Sequence, residues 1–490
     1  MTVNPKKLRP YDEPPKRRRG LIPGGPGTAA IGFGVMGALW LAAATGIGVL
    51  WLGLALLNVP GASFPLGVFD LSFELNTARL ESAFVNGIVY GWLSNVAFAA
   101  ICFFTPRLTG RALAGERWVN VGLALWNLSL LGGIAALYVF DAPAHYPLTA
   151  FPWLIDGGLA TGAAIVTASF AVTAANALRG GYISLWYAAI ALLGLLGLLT
   201  INVGVGILDL GEVVTALTSG YVSRTLETVW LLGTAIATLY YLVPRASGNP
   251  LAVGGVALLG FLSWLVFAPV AGLARLVDTS VPYAVTTVGS VATILLLTPA
   301  LLVAMNLLIT LRGRFDLLFG VNAGAYAMVG VAFLVASGLL EAVGALRSVF
   351  DLVGGTDWVG GAFVFSALGA ASFAGLGLLE HAMPRLLRRE WGGGVLSVTT
   401  LWSAFVGATL AGIFLIGGGI AEGSMLREAA PQDAIAAALI PYRSGAFLGL
   451  GLLGLAGLAT VVNMFLMYSA GRLAPVPTPT SAAAAAGAGH

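Results

Sequence analysis

The stretch that decides the fold is Tyr283–Leu311, YAVTTVGSVATILLLTPALLVAMNLLITL, which lies within Thr279–Gly313. It carries no charged side chain and is longer than the roughly 20 residues a helix needs to cross a bilayer. An uncharged apolar run of that length is continuous rather than alternating, so it reads as a membrane-spanning helix and not as a barrel strand. Eleven further runs of the same kind flank it. The twelve lie near 29–57, 83–104, 118–140, 154–178, 183–207, 213–243, 251–273, 284–311, 321–345, 358–383, 397–420 and 444–470. The expected fold class is an all-α polytopic membrane protein. Runs 29–57, 213–243 and 284–311 exceed the minimum, which implies tilt or extension beyond the lipid.

Composition supports this. Of the 490 residues 58% are apolar and 9% charged, against about 25% charged in a soluble domain. So few charges cannot cover a water-facing surface. The 67 glycines suit close helix–helix approach in lipid. A net charge of +3 does not imply nucleic acid, and the single Cys102 permits no intramolecular disulfide. Residues 1–26 are basic and rich in Pro and Gly, and read as a disordered arm rather than a cleavable signal. Residues 473–490 read as a low-complexity tail, leaving 27–472 as the membrane domain. No sustained short-period repeat is visible.

Charge asymmetry sets the expected topology. With the N-terminus in the cytoplasm, 18 of the 24 basic residues fall inside, including Arg107, Arg245, Arg312, Arg314 and Arg385. Every even-numbered span then ends on a basic cluster, and both termini are cytoplasmic. Trp and Tyr near span ends, such as Trp118, Trp153 and Trp391, read as interfacial anchors.

Ionisable residues within spans are costly and are functional candidates by default. Arg224 and Glu227 begin the sixth span at i, i+3 spacing, on one helix face. Glu341 lies in the ninth span with Arg347 less than two turns later. Arg275 and Asp278 close the seventh. One reading is structural ion pairs at helix ends. The other is a polar cavity in the outer half of the membrane, or a proton path with Glu341 as carrier. The chain has three histidines, His145, His381 and the terminal His490. His145 reads as a solvated loop residue and His381 as an interfacial helix-end cation. No metal-ligand spacing of His or Cys is found.

Several stretches are similar to a known family. LYYLVPR (Leu239–Arg245), the run Thr279–Gly313, GLLEAVGALRSV (Gly338–Val349), TDW (Thr356–Trp358), LEHAMPRL (Leu379–Leu386) and GGGIAEGSM (Gly417–Met425) resemble subunit I of the haem–copper oxidase superfamily. The likeness is to the cbb-type (C-family) cytochrome c oxidase, with the nitric oxide reductase large subunit as a close cousin. It covers most of residues 29–470 and implies twelve spans with both termini inside. In the ninth span, Glu341 and Arg347 match a glutamate and a basic residue of the family.

The resemblance also implies six histidine ligands, for two haems and a copper ion, and here the chain departs. The second-span haem ligand falls on Phe84, and the tenth-span pair on Ala362 and Val364. The sixth-span copper ligand falls on Arg224, and the seventh-span pair on Ala274 and Arg275. The redox tyrosine falls near Ala268, and His381 matches a histidine that is not a ligand. A haem iron takes His, Met, Cys or Tyr, and arginine stays protonated. The expectation is therefore a haem-free, copper-free, non-catalytic subunit of a respiratory complex in the bacterial cytoplasmic membrane. Its partners would be the bilayer and other subunits such as a membrane-anchored cytochrome c. Phe84, Trp92, Phe363 and Phe365 would fill the haem space. Arg224 and Arg275 would replace the metal charge and pair with Glu227 and Glu341. The alternatives are an active oxidase or nitric oxide reductase with haem b and copper under unusual ligation, and a proton or small-solute transporter using Glu227, Glu341 and Arg347.

Overall fold

The computed structural model describes residues 24–57, 62–65, 72–139, 148, 151–276 and 281–471. Most of the basic arm, the tail, His145 and Asp278 lie outside them. Among the described residues, twelve helices are long and apolar enough to cross a membrane. In chain order, spans 1 to 12 are Thr28–Leu56, Thr77–Thr109, Glu116–Val139, Trp153–Ala174, Ile183–Leu208, Val213–Ser247, Gly254–Leu276, Tyr283–Thr310, Ala323–Gly344, Asp357–Leu387, Gly394–Arg427 and Gln432–Ala470. All twelve fall on the expected runs. Span 12 starts well before the expected run at 444, because Gln432–Arg443, rich in alanine, continues the helix through Pro441. A short antiparallel ladder, Ala62–Pro65 with Ser72–Leu75, stands between spans 1 and 2.

Spans 2, 6 and 10 form the centre and are almost wholly buried, whereas the others bury at most half of their apolar window. The outer spans follow chain order: 3 against 4 and 4 against 5, 7 against 8 and 8 against 9, 11 against 12 and 12 against 1. At one point between spans 11 and 12 only glycine fits. A Cβ on Gly407 would stand 2.7 Å from the Gly449 carbonyl, and the reverse holds for Gly449. Such close approach is how helices gain packing energy in lipid.

The central spans share a design that a search for short repeats does not see. Each widens into π-helix partway along, at Gly87–Leu93, Leu226–Leu231 and Val364–Ala371. Each holds a proline, Pro106, Pro244 or Pro384, followed by an arginine. These prolines stand 138 and 140 residues apart. Each span closes on a left-handed residue, Gly110, Gly248 or Arg388, whose N–H bonds the proline carbonyl. The repeating unit is thus four spans long.

The π turns loosen the i to i−4 ladder, and neighbouring hydroxyls take up the freed carbonyls. Ser94 Oγ donates to the Val89 carbonyl (2.8 Å) and Ser372 Oγ to that of Ala367 (2.9 Å). The same hydroxyls receive indoles from the next central span: Trp92 Nε1 to Ser372 Oγ and Trp230 Nε1 to Ser94 Oγ, both 2.8 Å. Spans 2, 6 and 10 are thereby tied 2 to 10 and 6 to 2. The tie of 10 to 6 is made by the candidate site.

The three matched C-caps give a test. A left-handed cap favours glycine by about 1 kcal/mol over other residues. Gly110→Ala and Gly248→Ala should each lower stability by about that amount, while Arg388→Gly (φ 52° in the native chain) should raise it or leave it unchanged. Thermal unfolding of the purified variants in one detergent measures all three.

Candidate functional site

The π segment of span 6 begins two residues after Arg224, with Leu226 and Glu227. Arg224 Nη1 lies 2.8 Å from Glu227 Oε2 and 2.8 Å from Glu341 Oε1 of span 9. One guanidinium nitrogen therefore sits between two carboxylates from different spans. Ser366 of span 10 donates its hydroxyl to the other oxygen of Glu227. Spans 6, 9 and 10 meet at one polar point, with Arg224 and Glu227 buried and Glu341 nearly so. A lone buried charge in this setting would be prohibitive, and its pairing is what makes it tolerable.

Two cavities of about 40 Å³ each flank the cluster and share Arg224, Thr293 and Glu341 as a common wall. One continues past Glu227, Ser366, Ser337 and Trp264. The other is bounded by Ala274, Arg275, Phe350, Trp358 and Ala362. Each has room for a few waters.

The expected network is corrected in two places. Arg275 borders the second cavity but makes no ion pair within 4 Å among the described residues, so it faces the cluster across space rather than joining it. It stands on the tight 3₁₀ segment Ala271–Leu276. Arg347 is elsewhere. Span 9 ends at Gly344, Leu346 is extended, and Arg347 opens a separate short helix to Val353. The break turns Arg347 away from Glu341. It pairs with Asp351 at 3.4 Å, nearly half exposed, and its guanidinium lies 5.1 Å from the Tyr283 ring centre.

The positions that the resemblance assigns to haem ligands are packed with side chains. Phe84 is buried, stacks on Trp51 (centroids 5.8 Å apart) and lies over Gly48, where a Cβ would come within 2.7 Å of the ring. Phe365 lies over Gly412 in the same way, at 2.2 Å, and meets Phe333 edge-on at 5.5 Å. Trp92 serves the serine tie described above, and Phe363 packs against the core from a partly buried position. Ala362 and Val364 are buried, and the Ala268 carbonyl accepts the Thr228 hydroxyl at 2.8 Å. This donor set does not fit a haem iron or a copper ion: methyl, isopropyl and phenyl groups donate nothing, and guanidinium repels a cation. Among the described residues no group of three or more His, Cys, Asp or Glu is arranged to hold a metal. His381, expected as an interfacial helix-end residue, is enclosed at the end of span 10. It is buried between the rings of Phe103 (6.0 Å) and Tyr241 (6.1 Å).

Two polar groupings escaped the sequence reading. Arg443 of span 12 grips Asp357 of span 10 (Nε to Oδ2, 3.1 Å), and the Asp357 N–H donates to Glu422 of span 11 (2.9 Å). Asp357 opens its helix, where a carboxylate is expected, but its partner is 86 residues away in the chain. Between spans 2 and 5, Tyr90 O–H and Asn202 Nδ2 both donate to the Leu148 carbonyl. Distance in sequence hid both groupings.

Removing one member of a buried ion cluster costs about 3–5 kcal/mol. Arg224→Leu should therefore unfold at markedly lower temperature than the native chain. Adding Glu227→Gln and Glu341→Gln should recover much of the loss, since no bare carboxylate then remains. Arg347→Ala should fall within about 0.5 kcal/mol of native. Equal stability of Arg224→Leu and the native chain would remove the cluster's structural role.

Comparison with known proteins fits this architecture. Residues 28–452 match the family described as Cytochrome C and Quinol oxidase polypeptide I. The chain is similar to the Cbb3-type cytochrome c oxidase subunit CcoN1 of Stutzerimonas stutzeri, at 24% identity over 81% of this chain and 83% of that protein. It is also similar to the cytochrome c oxidase subunit 1 of Rhodobacter capsulatus, at 23% identity over 73% of this chain and 69% of that protein. A match running from the first span into the last, over twelve helices with a central triad, makes this multi-pass membrane protein a member of the haem–copper oxidase subunit I family.

Proposed function

We propose that the chain is a haem-free, non-catalytic subunit I, serving as scaffold, docking or assembly partner in a membrane electron-transfer complex. The observation that carries this reading is the chemistry at the family's ligand positions. By the resemblance, Phe84, Ala362, Val364, Arg224, Ala274 and Arg275 fall where the family has its six histidine ligands. The Arg224 guanidinium is moreover held by Glu227 and Glu341, so it has a settled place of its own. In this reading Arg224, with Arg275 nearby, supplies the fixed positive charge that a metal supplies in active relatives. The relatives are named as subunits of cytochrome c oxidases, which supports other oxidase subunits as the partner class; a membrane-anchored cytochrome c is the member of that class we propose. The basic residues concentrated at one end of the spans favour both termini in the cytoplasm of a bacterial inner membrane.

A second reading has one observation in its favour. The two small cavities meet at Glu341, which suits a proton carrier. Proton flux into liposomes that is present in the native chain and lost in Glu341→Gln would support it.

The primary test is a reduced-minus-oxidised spectrum, a pyridine haemochrome assay and copper analysis on the folded, monodisperse protein. We expect less than a tenth of an equivalent of either group, a threshold set only to separate traces from stoichiometry (~0.1 against 1). Haem near one equivalent would overturn the proposal and restore the oxidase reading.

A further inference from the structure

One hollow is several times larger than the cavities at the ion cluster and is separated from one of them by Trp264. It is a groove of about 300 Å³ between spans 5, 6 and 7. Its floor is Thr225 and Val229. Gly194 and Gly197 form one wall, and Trp264 and Pro269 the other. The sequence builds it from two devices. Gly194 and Gly197 share a helix face, and a Cβ on Gly197 would meet nothing within 4 Å. Pro269 cannot donate to the helix ladder, and one residue later span 7 passes into the tighter 3₁₀ turns of Ala271–Leu276.

The groove opens sideways. Leu193 and Ile201 on its rim are 59% and 41% exposed on the protein surface and lie within span 5. Val266 of span 7, beside the mouth, is 57% exposed. In a membrane that belt faces hydrocarbon, so only molecules of the bilayer reach the mouth. A partner helix, about 10 Å across, is too thick for a hollow of this volume. A flexible chain is not, and the volume is at the lower end of small-ligand sites, about 300–1,000 Å³. The walls are hydrocarbon and aromatic apart from the hydroxyls of Tyr221 and Thr225. Left empty, they would forfeit dispersion contacts that lipid readily supplies.

We infer that this groove is a binding site for one acyl chain of a bilayer glycerophospholipid. Its lining includes Ala268, near which the resemblance places the family's redox tyrosine, but none of the six ligand positions, so the site does not depend on the haem-free reading. Trp264 is the partition between the groove and the ion cluster: it borders both hollows, and its Nε1 donates to the Thr228 carbonyl at 2.9 Å. A bound chain therefore lies one indole ring away from the Arg224–Glu227 cavity.

Gly197→Phe fills the groove without displacing neighbours and is the direct test. The full chain, purified in mild detergent and delipidated, is weighed by native mass spectrometry. The native chain should keep one glycerophospholipid more than Gly197→Phe, at equal unfolding temperature. Equal lipid retention, or loss of a molecule that is not a glycerophospholipid, would overturn the assignment. If Gly197→Phe does not fold, phospholipid brominated along its acyl chain decides in the native background. Brominated lipid should quench the emission that distinguishes the native chain from Trp264→Phe by at least about two-fold, as expected for an indole in contact with the chain. An unquenched Trp264 would overturn the proposal.

Discussion

A guanidinium buried among membrane spans is costly unless it is paired or hydrogen-bonded. Arg224 is answered twice, by Glu227 from its own span and by Glu341 from span 9. That requirement fixes more than two distances. It draws span 9 onto span 6, and through the Ser366 hydroxyl on Glu227 it draws span 10 as well. The two indole–serine ties then complete the central triad, joining spans 2, 6 and 10 in a closed cycle. Each tie uses a polar group that would be expensive to bury alone, so each also specifies a register. Apolar faces cannot do this in lipid, because one leucine-rich contact is worth about as much as another.

The same economy explains how the positions that the resemblance assigns to haem ligands are packed with side chains. Large aromatic rings stand at or beside these positions where glycines oppose them. Phe84 rests over Gly48, and Phe365 over Gly412. A ring seated over a bare backbone fills space that a void would waste, and voids are costly in close-packed interiors. Substituting the glycine or the ring alone would break the fit, so these positions act as pairs between spans 1 and 2 and between spans 10 and 11.

The fold was legible because its governing signal is local. A helix in lipid must satisfy its own backbone, so length and apolarity suffice to find each span, and all twelve were found. Arg224 and Glu227 were legible for the same reason, since i, i+3 spacing is a property of one helix. What failed depended on geometry between or beyond helices. Arg347 looked adjacent to Glu341 by count, but the helix stops at Gly344 and turns it outward. Arg275 sits near the cluster without touching it, a matter of a few ångströms that no spacing rule carries. Asp357 and Arg443 meet from residues 86 apart. The four-span repeat was hidden because its mark is a backbone state, the π turn, and a proline–arginine cap recurring at a distance far beyond any local window.

The repeat bears on how the ion cluster arose within this fold. Spans 2, 6 and 10 have the same widened turn and the same cap, yet only span 6 carries a charged residue just before its π segment. The residues before the turns of spans 2 and 10 are uncharged: Phe84, Val85 and Asn86, then Gly361, Ala362 and Phe363. Widened turns commonly accompany functional sites because they re-aim side chains inward. Here two of the three aim groups that fill space, and one aims a cation that needs counter-charges. The backbone irregularity is common to all three, whereas the charge is particular to one. The electrostatic asymmetry of the membrane core is therefore a property of a few side chains laid over a nearly symmetric backbone. Changes at those side chains can alter what the centre holds without altering the twelve-span frame that holds it.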